Sequence, residues 1–198
     1  MDKKKSLIVI VLALVLLIAG ASVLYNRLGE KMAPEQLAVA ETAPTEETGT
    51  EPAGTEPPGI PAPDFTVYDG EGNPVKLSDY FGKPIVMNFW ASWCGPCKME
   101  MPDFNEKSQE LDGKVQFLMI NMTDGGRETV ETASAFIDEQ GYTFPVFFDT
   151  TTEAAYTYGA YSLPTTFFID ADGNAITRAT GAISGETLQR GIDLIYTP

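Results

Sequence analysis

The sequence predicts an α/β domain, a three-layer sandwich in which a mostly parallel sheet lies between two layers of helices. Two observations lead to this fold class. From about residue 62 to residue 198, apolar segments of strand length alternate with amphipathic segments of helix length. Within this region, Pro84 to Trp90 is an almost unbroken apolar run, which is typical of a strand buried on both faces. The region is long enough for one compact domain.

Two segments at the N-terminus precede this domain. Residues 1–6 contain three lysines, and residues 7–25 form an apolar run whose only clearly polar member is Ser22. That length suits one membrane crossing, and the lysines favour a cytoplasmic N-terminus, so we expect a single-pass anchor in the cell membrane. The alternative is a cleaved signal peptide and a secreted protein, because Ala19-Gly20-Ala21 resembles a cleavage site. Either version places the domain on the extracytoplasmic side.

Residues 26–61 differ in composition from the segments on both sides. They are rich in Glu, Thr, Pro, Ala and Gly and hold too few aromatic and branched apolar residues to bury a core. Such a composition predicts a disordered tether. The folded domain is therefore expected to span residues 62–198.

The domain opens with an N-terminal β-hairpin, whose predicted strands are Pro63 to Tyr68 and Val75 to Leu77. After the central strand, the sequence predicts a helix to about Leu111, with Pro102 in its interior, where proline bends a helix axis. The remaining pattern predicts strands at Val115 to Met122, Phe144 to Phe148, Thr165 to Ile169 and Ala175 to Ala179, and helices at Thr129 to Gln140 and Glu153 to Tyr158. Ser184 is predicted to cap a closing helix that runs through Ile195.

Cys94 and Cys97 are the only cysteines of the chain, and two residues separate them. They lie where the central strand gives way to a helix, so backbone N–H groups without helical partners can stabilise a thiolate on Cys94. We therefore assign Cys94 as the attacking thiol and Cys97, one helical turn further on, as the resolving thiol. Gly95 and Pro96 form the active-site turn between them.

Two other readings of this cysteine pair are weaker. A zinc site needs four ligands, and the chain has no histidine to supplement the two cysteines. A purely structural disulfide would close a loop of only two residues, which stabilises a fold very little. We expect reversible dithiol/disulfide exchange, with neither a metal nor a bound cofactor.

Composition narrows the function further. Without histidine, the chain cannot use Ser-His-Asp or Cys-His catalysis. The net charge of the chain is −15, and the region from Ala62 onward holds 20 acidic and 8 basic side chains. This balance argues against nucleic acid as a partner.

The segment Phe89-Trp90-Ala91-Ser92-Trp93-Cys94-Gly95-Pro96-Cys97-Lys98 resembles the active-site segment of the thioredoxin superfamily. Its continuation Cys97-Lys98-Met99-Glu100-Met101-Pro102, together with the N-terminal apolar run, is similar to membrane-anchored thioredoxin-like reductases of the TlpA/ResA type. The resemblance extends from about Ala62 to the C-terminus. It implies a thioredoxin-like sandwich with an N-terminal hairpin and a central strand-helix insertion, formed by Thr129 to Gln140 and Phe144 to Phe148.

Glu100 is the candidate proton acceptor. It follows Cys97 by three residues, so both lie on one helical face, where a buried carboxyl with a raised pKa can exchange a proton with the thiol. The alternative is an exposed helix glutamate, and the resemblance to reductases with glutamate here favours the first reading. Asn88 occupies the position at which thioredoxins carry an aspartate, and an amide cannot accept that proton.

Three further site residues concern the substrate. The resemblance implies that Pro164 is the cis-proline facing the cysteine pair, which leaves the main-chain groups of Leu163 free to bind an extended substrate. Trp93 is assigned to the substrate-facing lip, whereas Trp90 is assigned to the core, as is the phenylalanine cluster at Phe144 to Phe148.

The leading function is the reduction of disulfides in extracytoplasmic proteins, because a Gly-Pro turn between the cysteines resembles the reducing thioredoxins. By resemblance, the clients include apoproteins of c-type cytochromes, and a membrane thiol carrier donates the electrons. One alternative is a peroxiredoxin-like redoxin, although Ala91 stands where peroxidatic sites carry threonine or serine. The other is a non-catalytic anchored binding module or metal chaperone, which the missing histidine disfavours.

Overall fold

The structure is a computed structural model that describes residues 38–39 and 60–197. The predicted cytoplasmic residues 1–6, the predicted anchor at residues 7–25 and most of the predicted tether at residues 26–61 lie outside the described residues. Within the described part of the chain, no helix combines the length and the apolar character that a membrane crossing requires.

Nine strands and four α-helices form the described region. The strands are β1 Ala38–Val39, β2 Ile60–Pro61, β3 Thr66–Tyr68, β4 Pro74–Lys76, β5 Ile85–Trp90, β6 Gln116–Asn121, β7 Val146–Phe148, β8 Thr165–Ile169 and β9 Asn174–Thr180. The α-helices are α1 Gly95–Glu110, α2 Val130–Gln140, α3 Glu153–Tyr158 and α4 Gly185–Ile195, and a 3₁₀ helix spans Leu77–Tyr80. Every element predicted from residue 62 onward is present, with some ends shifted by one to three residues.

The strands form one sheet in the order β1-β9-β8-β5-β6-β7-β3-β4, with β2 also paired to β9. Strands β5, β6 and β7 run parallel, whereas β8 is antiparallel to both β5 and β9. The sheet is therefore mixed and not mostly parallel, because a tight turn makes β8 and β9 an antiparallel hairpin. All six residues of β5 are buried, which places this strand at the centre of the domain.

Two short strands lie at or before the expected start of the domain. Within the segment predicted to be a disordered tether, Ala38 pairs with Arg178 and Val39 with Thr177, and Ile60 pairs with Ala175. Strand β9 would otherwise present unpaired N–H and C=O groups at the edge of the sheet, and both strands satisfy part of that edge. The folded region therefore begins before residue 62.

Helices cover both faces of the sheet. On β5, Val86 and Trp90 pack into one core with α1, α2 and α4, whereas Ile85, Met87 and Phe89 pack into the other with α3 and strand β3. This division follows from the alternation of side chains along a strand. The arrangement is the predicted three-layer sandwich.

Caps fix the helix ends that frame the site. The backbone N–H of Thr132 donates to the Thr129 side chain at the start of α2, and Gly141 ends that helix in the left-handed conformation at φ 69°. Ser184 accepts from the backbone N–H of Thr187 at 3.2 Å, as its predicted role as a cap requires. These caps fix where α2 begins and ends and where α4 begins.

Candidate active site

Cys94 caps the N-terminus of α1, immediately after the loop that follows β5. Its sulfur accepts a hydrogen bond from the backbone N–H of Cys97 at 3.2 Å, and Gly95 and Pro96 form the first turn of the helix. The two cysteines form a disulfide. A backbone donor directed at the Cys94 sulfur favours a thiolate there once the disulfide is reduced.

The two sulfurs differ in accessibility. Cys94 is 5% exposed and Cys97 is fully buried. Cys94 is nearly buried, but it lines the groove and is the member of the pair that a substrate can reach. This difference supports the assignment of Cys94 as the attacking thiol.

Glu100 lies on α1, three residues after Cys97, and is buried, with 2% of its surface exposed. One carboxyl oxygen accepts from the Asn88 amide at 2.8 Å, and the other accepts from the Ile183 backbone N–H at 2.9 Å. Desolvation raises the pKa of Glu100 to about 7, because it outweighs the opposing effect of these two hydrogen bonds. The structure excludes the alternative of an exposed helix glutamate.

Asn88 provides the hydrogen bonds that organise this network. Its amide nitrogen donates both to Glu100 and to the Thr166 hydroxyl, the latter at 2.9 Å. The residue is fully buried at the centre of β5. Since a donor replaces the thioredoxin aspartate, Glu100 is the group of this network that can titrate near neutral pH.

A groove of about 720 Å³ opens in front of Cys94. Its walls include the sequence-predicted residues Trp93 and Leu163, together with Met122 and Tyr161. The Leu163–Pro164 peptide bond is cis, as the resemblance implies, and Pro164 lies immediately behind this wall. The structure therefore brings two of the predicted substrate-binding residues, Trp93 and Leu163, to one surface, whereas Pro164 is buried and does not line the groove. Cys97 and Glu100 are buried as well.

The two tryptophans separate as predicted. Trp90 is fully buried, whereas Trp93 is 41% exposed at the rim of the groove. The guanidinium carbon of Arg127 lies 3.8 Å from the centre of the Trp93 ring, which is a cation–π contact. Trp93 is thus both accessible to a substrate and held from one side.

Glu128 is a buried residue of the site that the sequence reasoning missed. It is fully buried, and its carboxyl accepts from the Ser92 backbone N–H, the Ser92 hydroxyl and the Asn121 amide, each at 2.7 Å. The only signal in the sequence is an acidic residue directly before the predicted start of α2. That signal resembles an ordinary charged residue of a loop.

Within residues 38–39 and 60–197, no group of three or more Cys, His, Asp or Glu residues is placed to hold a metal ion. The charged side chains that line the groove beside Cys94 are Asp124 and Arg127. The arrangement supports sulfur exchange with an internal proton acceptor.

A thioredoxin-like fold with a disulfide at a helix N-terminus, beside an open groove, defines a thiol-disulfide oxidoreductase. The AhpC/TSA family matches residues 58–177 of the chain. The ResA thiol-disulfide oxidoreductase of Geobacillus thermodenitrificans is 36% identical over 135 residues, which cover 68% of this chain and 75% of that protein. The chain therefore belongs to the AhpC/TSA family and, within it, to the thiol-disulfide oxidoreductases of the ResA type.

Solved structures agree with this assignment. A thiol:disulfide interchange protein of the thioredoxin family from Chlorobium tepidum has a TM-score of 0.60 and 26% identity, covering 71% of this chain and 99% of that one. The exposed lipoprotein thioredoxin Etrx1 of Streptococcus pneumoniae has a TM-score of 0.57 and 30% identity, covering 67% of this chain and 99% of that one. These similarities confirm the predicted thioredoxin-like fold.

Proposed function

We propose that this protein reduces disulfide bonds in extracytoplasmic proteins, acting from a membrane anchor. The observation that carries the exchange chemistry is Glu100, a buried carboxyl with a pKa of about 7 on the same helical face as the resolving thiol. Such a group can hold or release one proton at neutral pH, when the dithiol donates its electrons. The reducing direction rests on the resemblance of the Gly95-Pro96 turn to that of the reducing thioredoxins.

The first step is the attack of the Cys94 thiolate on a client disulfide. A bond forms between the Cys94 sulfur and one client sulfur, the client S–S bond breaks, and the second client sulfur leaves as a thiolate. The groove bounded by Trp93 and Leu163 receives the client segment. The α1 N-terminus stabilises the attacking anion before this step.

The second step resolves the mixed disulfide. Cys97 transfers its proton to Glu100 and attacks the Cys94 sulfur, which forms the Cys94–Cys97 disulfide and releases the other client thiolate. Two electrons have then moved from the dithiol to the client. A carboxyl with a pKa of about 7 is a suitable acceptor for a thiol, whose ordinary pKa is about 8.5.

The location, donor and clients complete the proposal. The apolar run at residues 7–25 is long enough for an anchor, and a relative of similar fold is named an exposed lipoprotein. We propose that a membrane thiol carrier returns electrons to the Cys94–Cys97 disulfide. Apocytochromes c are proposed as one client class, because their Cys-X-X-Cys-His segments must be reduced before haem attachment.

Insulin reduction by the full-length chain tests the exchange chemistry. The wild-type protein should reduce insulin disulfides in the presence of dithiothreitol, and Cys94→Ser should abolish the protein-dependent rate. Equal rates for the two proteins would show that Cys94 is not the attacking thiol.

The equilibrium potential of the Cys94/Cys97 pair against glutathione tests the direction. We expect a value nearer to that of thioredoxin, about −270 mV, than to that of the oxidant DsbA, about −120 mV. A value near the oxidising end would reverse the proposed electron flow.

Two further measurements test the location and the client class. Alkaline phosphatase fused to the C-terminus should be active only if the domain is exported, and inactive fusions would overturn the location. The reduced protein should also reduce an oxidised Cys-X-X-Cys-His peptide faster than a peptide of the same composition in shuffled order. Equal rates would remove the preference for apocytochromes.

A further inference from the structure

Glu128 makes contacts that the exchange chemistry described above does not use. It lies one residue before the cap of α2, yet its three hydrogen bonds reach Ser92, 36 residues away, and Asn121 at the end of β6. The three donors are the backbone N–H and the hydroxyl of Ser92 and the side-chain amide of Asn121, and both carboxyl oxygens of Glu128 accept. Hydrogen bonds to a carboxylate are stronger than those between neutral groups, and these three are short.

The partner that matters for the reaction is Ser92. It lies inside the turn from Ala91 to Cys94, which is closed by a hydrogen bond from the Cys94 N–H to the Ala91 carbonyl at 3.0 Å. Glu128 accepts from both the backbone N–H and the hydroxyl of Ser92. Two donors of Ser92, its backbone N–H and its hydroxyl, therefore bind the carboxyl of Glu128 and hold this turn in place.

The other end of the contact is attached to the sheet. Asn121 donates to Glu128 through its side-chain amide nitrogen, and its side-chain amide oxygen accepts from the Thr123 hydroxyl at 2.8 Å. In the parallel register of β5 and β6, Asn121 stands opposite Trp90, the last residue before the turn. Glu128 thus links the turn before Cys94 to the neighbouring strand.

Arg127 adds a second contact between the same two segments, the loop before α2 and the turn before Cys94. Its guanidinium lies over the ring of Trp93, directly beside the residue that Glu128 holds. Consecutive residues of the loop before α2 thus contact consecutive residues of the turn before the attacking thiol. Both side chains of this clamp, Arg127 and Glu128, come from one loop.

We propose that Glu128 is a positioning residue for thiol-disulfide exchange, acting through Ser92 to hold the Cys94 sulfur at the N-terminus of α1. It does not touch the reacting atoms. This role concerns the geometry of the reduced thiol, so it is independent of the direction of electron flow. Without Glu128, the turn before Cys94 moves and the thiolate loses part of its stabilisation by backbone donors.

The test compares Glu128→Ala and Glu128→Gln in the full-length protein, with Glu131→Ala as the control. Glu131 is an exposed acid three residues further along the same segment. The readouts are the rate constant for alkylation of Cys94 in the reduced protein and the potential of the cysteine pair. Circular dichroism establishes that each variant is folded at the temperature of measurement.

Glu128→Ala should lower the alkylation rate constant at neutral pH by about tenfold to a hundredfold. It should also shift the potential to more negative values, because the reduced form loses stabilisation. Glu128→Gln should remain within about threefold of wild type, since its carbonyl oxygen can still accept from the Ser92 N–H. Glu131→Ala should equal wild type.

Three outcomes would overturn the proposal. Glu128→Ala could be folded and retain the wild-type rate constant and potential. Glu128→Gln could lower the alkylation rate constant as much as Glu128→Ala does, which would show that the hydrogen bonds of this side chain do not position the thiol. Both variants could react faster than wild type, which is the result expected if Glu128 acts only through a negative charge that opposes the thiolate.

A second variant keeps the test decisive if Glu128→Ala does not fold. Ser92→Ala removes the hydroxyl bond to Glu128 and leaves the backbone bond, so the rate constant should fall by about threefold, the factor for one modest hydrogen bond. A folded Ser92→Ala protein with unchanged rate and potential would contradict the proposal. An oxidising potential in the wild type would overturn the proposed reductase function, but it would not affect the comparison between the Glu128 or Ser92 variants and the wild type.

Discussion

Two buried glutamates flank the cysteine pair, and they are held in different ways. Glu100 follows Cys97 by three residues on α1 and accepts two hydrogen bonds, from Asn88 and from the Ile183 backbone. Glu128 lies behind the turn that precedes Cys94 and accepts three, from Ser92 and Asn121. In both cases an asparagine of a parallel strand donates to the carboxyl.

The difference shows how one type of side chain can serve two purposes in one site. Desolvation dominates at Glu100, and its pKa rises into the range in which a proton can be exchanged near neutral pH. At Glu128, every donor comes from the turn or from the adjacent strand, so the carboxyl connects two parts of the backbone. We interpret Glu100 as the proton acceptor and Glu128 as the positioning residue.

The sharpest way to break this comparison is to remove the titratable group at Glu100. Glu100→Gln should slow disulfide reduction at pH 7 by about a hundredfold or more, the usual contribution of general acid–base catalysis. The inflection near pH 7 in the rate profile should disappear, whereas Cys94 alkylation at the same pH should change much less.

Glu106→Gln is the matched control for this variant, because Glu106 is an exposed glutamate of the same helix. Its profile should overlay that of wild type. If the Glu100→Gln protein retains the inflection near pH 7, the group that accepts the proton of Cys97 is not Glu100.

The stability of the oxidised protein should also report on Glu100. Its folded pKa of about 7 lies above the ordinary value of 4.5, so the folded chain retains a proton that the unfolded chain releases between these values. Stability is therefore highest at the acid end of this window and falls as the pH rises through it, by about 3 kcal/mol in total.

Urea unfolding at pH 5 and pH 8 measures this effect. The wild-type free energy of unfolding should fall between the two pH values by about 3 kcal/mol more than that of Glu100→Gln. Glu106→Gln should behave as wild type. Equal pH dependence in the wild type and Glu100→Gln would show that Glu100 ionises in the folded chain as it does in water.

The smallest expected effect concerns Trp93 and tests whether the turn before Cys94 is held through Ser92 and Glu128. Trp93→Ala removes the ring beneath Arg127 and part of the groove wall but leaves the bonds of Ser92 intact, so KM for a client should rise by about threefold to tenfold with kcat unchanged. Tyr156→Ala, an exposed aromatic residue on α3, is the control. A large fall in Cys94 alkylation in Trp93→Ala would show that the turn is held through Trp93 and not through Ser92.

The sequence predicted those parts of the site that depend on near neighbours. The spacing of Cys94, Cys97 and Glu100 along one helix is a local property, and so are the cap at Ser184 and the burial of Trp90 within an apolar strand. Each follows from periodicity or from the chemistry of a helix end. The cis bond at Pro164 came from the resemblance alone.

The parts that the sequence did not predict depend on contacts between distant segments. The bond between Ser92 and Glu128 joins two loops that meet because β5 and β6 are adjacent and parallel, and no local pattern encodes that meeting. The pairing of Ala38 and Val39 with β9 is similar, since two residues in a polar segment carry too little pattern for a strand to be recognised. Tertiary context determines both features.

The pairing at the sheet edge has a practical consequence for protein engineering. Strands β1 and β2 both pair with β9, so Val39 and Ile60 are both held at one edge of the sheet. When both ends of a segment are fixed, its length enters the folding free energy only logarithmically, and doubling it costs about 0.6 kcal/mol. We therefore expect that lengthening the chain between Val39 and Ile60, for example with an epitope, lowers the stability of the domain only slightly.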